Sequence, residues 1–298
     1  LPPCTVVEEG ETVRIDVHVP AGSPVSLDVV LESGERRPAT QVDNWTPDRE
    51  VKGHLCGEAS FELTDLPLGY HRVEATTSEG VHSAAVIIPP DFVGFPPGMR
   101  GNRTWGYALQ LYSVTSKRSW GIGDFTDLAD LATWAGNEQQ AGFVLVNPLH
   151  ASQVVAPIDS SPYLPSSRRF LNPLYIRPET VPEYANLAQP TRRRIRKLRK
   201  SVRKRREIID RDTVWEGKRE ALWELFQTGR RPARQVSLDG FRRRGGSALR
   251  DFAVWSVLSE IYGNDWRLWP EELRDPRSAA TEKFAVTQAE RVEVFEWL

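Results

Sequence analysis

The sequence predicts a multidomain chain: an all-β sandwich over residues 1–90, a Pro/Gly linker over 91–104, and an α/β part over 105–298 carrying a helical insertion at about 181–228. Three observations predict it. Apolar residues alternate with polar ones through short segments before residue 90, with glycine turn signals between them. A strand–helix–strand pattern then runs from Tyr107 to Leu149. Charge divides at the same place: residues 1–100 hold 7 Lys and Arg against 16 Asp and Glu, and the rest hold 32 against 24.

In the first part, TVRIDVHVP sets Val13, Ile15, Val17 and Val19 against Arg14, Asp16 and His18, which is the period of a half-buried strand. SLDVVLESG and the run from Ala59 to Pro90 continue the pattern, with turns at Ala21–Gly22, Ser33–Gly34, Leu68–Gly69 and Glu79–Gly80. Trp45 and Tyr70 are the aromatics here that could stack on a sugar, although Tyr70 reads better as packing at a strand corner. Cys4 and Cys56 read as two free thiols, since two cysteines make no disulfide framework. The linker segment PPDFVGFPPGMRGNRTW holds four prolines and three glycines, which propagate neither a helix nor a central strand. Trp105 begins the second part.

YALQLYSV and GFVLVNPL are short apolar runs, and between them Phe125, Leu128, Leu131, Ala132 and Ala135 recur at helical spacing. Asp124 or Thr126 can cap that helix and Gly142 lies near its end. Two strands joined by one helix form a βαβ unit with a parallel pair. In barrels built from such units the chemistry sits in the loops after the strands, here Thr115 to Asp124 and His150 to Asn172.

These residues also carry a resemblance. SWGIGDF, NPLH and SPYLPSSRRFLNPLYI occur in order and, with Pro178–Tyr184 and IDRDTVWEGKREAL, resemble the amylomaltase (4-α-glucanotransferase) family, glycoside hydrolase family 77. The resemblance spans most of 101–298, and LPLGYHRVEA is similar to the last hairpin of accessory, immunoglobulin-like sandwiches found ahead of amylase-type barrels. It implies that the second part is the beginning of a (β/α)8 barrel. It implies transfer of α-1,4-glucan segments between maltooligosaccharides by retaining double displacement, with neither metal nor organic cofactor. It further implies that Ser161 and Tyr163 of the SPY loop contact the sugar at the cleavage point. Asn172, His150 and Asn147 are weaker candidates for substrate contact and read rather as loop-bracing residues. The family's carboxylates lie on later strands whose motifs are missing from this chain, so no catalytic residue is assigned. Asp124 reads as a helix cap, and Asp159 carries no partner by pattern. Two barrel strands are visible out of eight, with allowance for short strand pieces near Tyr175. The chain starts at Leu1 and its sole methionine is Met99, so a piece of a longer protein is expected, whose partner is the remainder of its own barrel.

Beyond the βαβ unit, RRRIRKLRKSVRKRR (Arg192–Arg206) holds eleven basic residues, with Ile195, Leu198 and Val202 as a thin apolar stripe. No helix-turn-helix, RRM or zinc pattern accompanies it and no aromatic interleaves. We read it as the solvated outer face of an inserted helix that meets an acidic neighbour, such as the N-terminal domain. Polyanion or nucleic-acid binding is the alternative, and a non-catalytic glucan-binding protein is another. DTVWEGKREALWELFQ reads as a second helix, and GGSALRDFAVWSVLSEIYG as an amphipathic one with Leu249, Phe252, Ala253, Leu258 and Ile261 on its apolar face, Ser247 as cap and Gly263 as stop. NDWRLWPEELRDP reads as irregular, and TQAERVEVFEWL starts another helix. Trp134, Trp215, Trp223 and Trp255 fall in helical patterns as core, leaving Trp120 as the tryptophan that could face a ligand.

Forty per cent hydrophobic and 27% charged residues suit a globular protein. No apolar run approaches a membrane span and no signal peptide opens the chain, so a cytoplasmic location is expected. The second loop, ASQVVAPIDSSPY, is longer than in the shortest family members and the arginine run is dense. Both leave chain-length and acceptor preference open.

Overall fold

Val13, Ile15, Val17 and Val19 are buried and the residues between them are not, so the period-2 alternation lays one apolar face inward. The computed structural model describes residues 1–95, 103–203 and 208–298, in two compact units, residues 1–102 and 103–298. Half of the predicted linker, residues 96–102, lies outside the described residues.

The first unit is a sandwich. Its strands are β1 (Cys4–Val6), β2 (Val13–Pro20), β3 (Ser26–Val30), β4 (Arg36–Pro38), β5 (Thr40–Val42), β6 (Arg49–Val51), β7 (His54–Leu63), β8 (Gly69–Thr77) and β9 (Gly80–Ile88). One sheet runs β1-β9-β8-β3-β4 and the other β2-β7-β5, with β6 also on β7. β1 lies parallel to β9, and the other pairs are antiparallel. The two inner faces meet in one core that includes Ile15, Leu27, Val29, Phe61, Val73 and Val86. Tyr70 does not pack at the corner as expected; it is 71% exposed. Alternation along β8 explains this, because His71, Val73 and Ala75 point inward. His71 braces the corner instead: Nδ1 accepts the Glu32 N–H at 3.1 Å and Nε2 lies 2.7 Å from the Pro67 carbonyl. Because this core closes on itself, residues 1–90 expressed alone should give a β-rich domain with one cooperative thermal transition. Circular dichroism melting checks this, and a gradual, non-cooperative loss of signal would refute it.

In the second unit β10 (Gly106–Leu109) and β11 (Phe143–Val146) form the parallel pair, with Tyr107 opposite Val144. The first strand is shorter than the run YALQLYSV, because Leu111–Ser113 turns into a 3-10 helix. Two contacts bend it: Leu111 N–H donates to Asn147 Oδ1 at 2.7 Å and Gly123 N–H to the Tyr112 carbonyl at 3.0 Å. Gly123 must be glycine, since a Cβ there would sit 1.9 Å from the Leu111 carbonyl oxygen. Helix α1 (Phe125–Asn137) joins the strands, with Asp124 as its cap. Ala132, expected on its apolar face, is exposed.

A short antiparallel hairpin follows, β12 (His150–Ala151) with β13 (Ser167–Leu171), and it brackets the SPY loop. The strand pieces allowed for near Tyr175 are instead 3-10 turns at 173–175, 178–180 and 182–186, each opened by a proline that cannot donate to a sheet. Helices α2 (Gln189–Val202) and α3 (Arg211–Gln227) pack together through Ile195, Val202, Val214 and Leu222. α4 spans Pro232–Tyr262 in two halves that meet at Gly246, whose φ of 55° and ψ of −148° no helix accommodates. The break replaces Ser247 as the start of the second half, and Gly263 ends it at φ 90°. The first half was not legible as a helix: three glycines and five arginines between 231 and 246 obscure any apolar stripe. Ile261 is exposed. The proline-rich stretch forms 3-10 turns at 266–268 and 271–273, followed by α5 (Ala279–Thr287) and α6 (Ala289–Trp297).

Of the tryptophans expected in the core, Trp215 is buried and Trp255 stacks on Phe252 with Trp269 tilted beside it, whereas Trp134 and Trp223 are exposed. Among the described residues no helix is long and apolar enough to cross a membrane.

Candidate functional site

The strand ends of β10 and β11 are tied by a polar network that sequence reasoning did not foresee. Asp124 Oδ1 accepts the N–H groups of Thr126 and Asp127 at 2.9 and 3.1 Å, and Asp127 Oδ2 accepts the Asp124 N–H at 3.2 Å, a reciprocal cap. Arg177, also buried, then inserts between the two carboxylates: Nε donates to Asp124 Oδ2 at 2.8 Å and Nη2 lies 2.7 Å from Asp127 Oδ1. Ser119 Oγ donates to Asp127 at 2.7 Å. Burial alone would raise the Asp127 carboxyl, but the bonds from Arg177 and Ser119 outweigh it and hold the group below the usual carboxylate range. Two acids and one guanidinium thus share a buried interior. Asp124 is the helix cap that the sequence indicated and an ion-pair anchor as well.

Trp120, expected to face a ligand, faces the interior. It is 0% exposed and its Nε1 donates to Glu179 Oε2 at 2.8 Å, while Arg199 holds the other oxygen of Glu179 at 2.9 Å. The strand-end loop folds back on α2 and α3, which covers the ring. Gly121 permits the fold at φ 83°.

The SPY loop lies on the outside. Asp159 Oδ1 accepts the Ser161 N–H at 2.8 Å, and Ser161 Oγ accepts the Tyr163 N–H at 3.3 Å, so side chains shape the turn. Tyr163 is 59% exposed and no aromatic ring pairs with it among the described residues. Asn172 lies behind the loop: Oδ1 accepts the Leu174 N–H at 3.0 Å and Nδ2 donates to Ser152 Oγ at 2.9 Å. Asn147 is buried, holding Leu111 N–H and donating to the Tyr175 hydroxyl at 3.3 Å. Ser161, Asp159, Asn172, His150 and Arg211 line a crevice of about 20 Å³ beneath the loop. That is room for a water molecule and not for a pyranose. Tyr163 stands outside this crevice, on the exposed face of the loop. The structure brings Ser161, Tyr163 and Asn172 together on one short loop and its base.

The arginine-rich run reaches Val202 as helix, and Lys204–Glu207 lie outside the described residues. The acids that meet α2 come from α3 and the turn before it. Arg194 pairs with Glu224 and Arg199 with Glu179, while Arg192 covers the Tyr184 ring at 5.6 Å. Arg193, Arg196, Lys197 and Lys200 remain exposed along the outer face.

Lys218 completes the network and was also missed. It is fully buried on α3, and Nζ donates to the Leu174 carbonyl at 2.6 Å. Burial lowers its pKa to about 8, against the pull of Asp124, Asp127 and Glu179. A signal for it exists in the sequence: Val214, Lys218, Ala221, Leu222 and Leu225 share one helical stripe, so a lysine stands at a core position.

Comparison with known proteins places this geometry. The family model described as glycoside hydrolase family 77, 4-alpha-glucanotransferase, matches residues 109–298, and the MalQ N-terminal beta sandwich domain matches residues 1–90. A 4-alpha-glucanotransferase of Mycobacterium tuberculosis is 46% identical over 309 residues, covering all of this chain and 42% of that protein. One from Haemophilus influenzae is 28% identical over 268 residues, covering 82% of this chain and 37% of the relative. The crystal structure of amylomaltase from Corynebacterium glutamicum matches all of this chain and 41% of its own, at a TM-score of 0.76 and 35% identity. The chain thus spans about two fifths of the length of these relatives, and its second unit is the start of the amylomaltase barrel. The chain belongs to the 4-alpha-glucanotransferase family, glycoside hydrolase family 77.

Proposed function

We propose that the whole protein transfers α-1,4-glucan segments from one maltooligosaccharide to another by retaining double displacement on a (β/α)8 barrel, in the cytoplasm. The observation that carries this reading is the exposed SPY loop at a strand end of a unit that matches the family over residues 109–298. In such a reaction a carboxylate attacks the anomeric carbon while a carboxylic acid protonates the departing glycosidic oxygen. The 4-hydroxyl of an acceptor sugar then replaces the carboxylate and returns its proton to the second group. Both carboxylates lie beyond the part of the family described here, on later strands of the barrel. Ser161 and Tyr163 supply the sugar contacts on this chain. The aromatic face of Tyr163 matches the C–H face of a pyranose and its hydroxyl adds a polar tip. Asn172 acts from the base of the loop, where its amide keeps the turn in place.

The experiment is incubation with maltotriose followed by product separation. The whole protein should yield glucose together with longer maltodextrins, while residues 1–298 alone should yield neither. Hydrolysis to maltose and glucose without longer products would refute transfer, and turnover by residues 1–298 would show that the catalytic carboxylates have been misplaced.

A further inference from the structure

Helix α3 carries three side chains, Asp212, Trp215 and Lys218, at successive spacings of three residues, which in a helix keeps them on neighbouring positions of one face. Each bonds to main chain of the SPY loop or of the turn that follows it. Asp212 Oδ1 accepts the Ile158 N–H at 2.8 Å. Trp215 Nε1 donates to the Val154 carbonyl at 2.8 Å. Lys218 Nζ reaches the Leu174 carbonyl, two residues beyond Asn172. The three acceptor and donor sites lie on both sides of Ser161 and Tyr163. The loop's bonds at 159–163 are local turns, Ser166 N–H closes its ends on the Ala151 carbonyl at 2.9 Å, and Asn264 Nδ2 adds one further hold on the Val155 carbonyl at 3.0 Å. Helix α3 is itself anchored: Asp210 caps it, accepting the Thr213 N–H at 3.1 Å, and Val214, Leu222 and Leu225 are buried beneath it.

From this geometry we infer that Asp212, Trp215 and Lys218 are positioning residues, a clamp through which the inserted helix fixes where the sugar-contacting face of Tyr163 stands. This rests on the proposed glucan transfer. The physical reason is that a ring stacked on a reacting sugar is useful only at the correct height, and an exposed loop cannot supply that from its own turns. Helix α3 supplies a rigid ruler, because its bonds to the loop come from a helix packed into the core. The insertion thereby contributes to the donor site without touching substrate.

The test uses the whole protein and begins with Asp212→Ala, because that side chain is at the edge of the core and the variant is expected to fold. Asp212→Asn retains an acceptor for Ile158 and serves as the rescue. Trp215→Phe removes the N–H and keeps most of the ring's packing. Two quantities are measured: hydrogen exchange of the 153–166 segment, and kcat and KM on maltotriose. Asp212→Ala and Trp215→Phe should each speed exchange in the segment and lower kcat/KM about three- to tenfold, the size of one such hydrogen bond. Asp212→Asn should recover most of both.

A double-mutant cycle separates positioning from general damage. In a Tyr163→Ala background the α3 variants should cost little more in kcat/KM, since their effect passes through the missing ring. Full additivity with Tyr163→Ala overturns the inference, as does faster exchange with unchanged kcat/KM, or no change in exchange at all. A wild-type protein that fails to disproportionate maltotriose overturns the proposed activity and the catalytic part of the clamp together. Exchange in the 153–166 segment then still decides whether α3 holds the loop.

Discussion

Replacing Arg177 with methionine lowers the stability of the second unit by about 3–5 kcal/mol, because it leaves the buried Asp124 and Asp127 carboxylates without their cation. For a chain of this size that corresponds to a fall in Tm of about 2–4 °C per kcal/mol. Neutralising the acids as well, with Asp124→Asn and Asp127→Asn, should recover part of the loss, since what costs is the unpaired charge and not the absence of the bond. The sign of the pH dependence follows from Asp127. Its carboxyl is held below the ordinary value when folded, so the stabilisation is fully present above the unfolded pKa of about 3.9 and is lost as pH falls through the folded one. Wild type and Arg177→Met should therefore differ most near neutral pH and draw together as pH falls from about 4 toward the lower folded pKa of Asp127. Denaturant midpoints at pH 7 and pH 3.5 check both statements. Equal stabilities at pH 7 would mean that the cluster is replaceable by apolar packing.

Tyr163→Ala in the whole protein should lower kcat/KM on maltotriose about ten- to a hundredfold, from loss of about 1–3 kcal/mol of contact, with the melting temperature almost unchanged. The ring is more than half exposed and pairs with no other aromatic among the described residues, so its removal deletes little packing. A ring stacked at the cleavage point touches the sugar that flattens toward the oxocarbenium ion, so the loss should appear in kcat and not only in KM. Tyr163→Phe keeps the stacking face and isolates the hydroxyl's share. A Tyr163→Ala variant with wild-type kcat/KM would make Tyr163 a bystander. A variant with a lowered Tm and intact turnover would make it structural.

The sequence by itself determined the sandwich, the parallel strand pair and the family. Those rest on local rules: period-2 alternation at Val13–Val19, an apolar run on either side of a capped helix, and motifs such as SPY that are contiguous in the chain. It also placed Asp124 as a cap, because capping is a matter of neighbouring residues.

Tertiary structure alone decided the rest, for one physical reason: burial and pairing depend on what arrives from elsewhere in the chain. Trp120 looked available in its loop and is buried because Glu179, 59 residues on, accepts its N–H. Tyr70 looked like a corner residue and is exposed because His71 took the inward register. Arg177 carries no motif of its own, and its meaning lies in two carboxylates 50 and 53 residues earlier in the chain. The proposed contact residues Ser161 and Tyr163 could be named from three adjacent letters. The 212–215–218 face of α3, which bonds to the main chain around them, became visible only once α3 had packed against the loop.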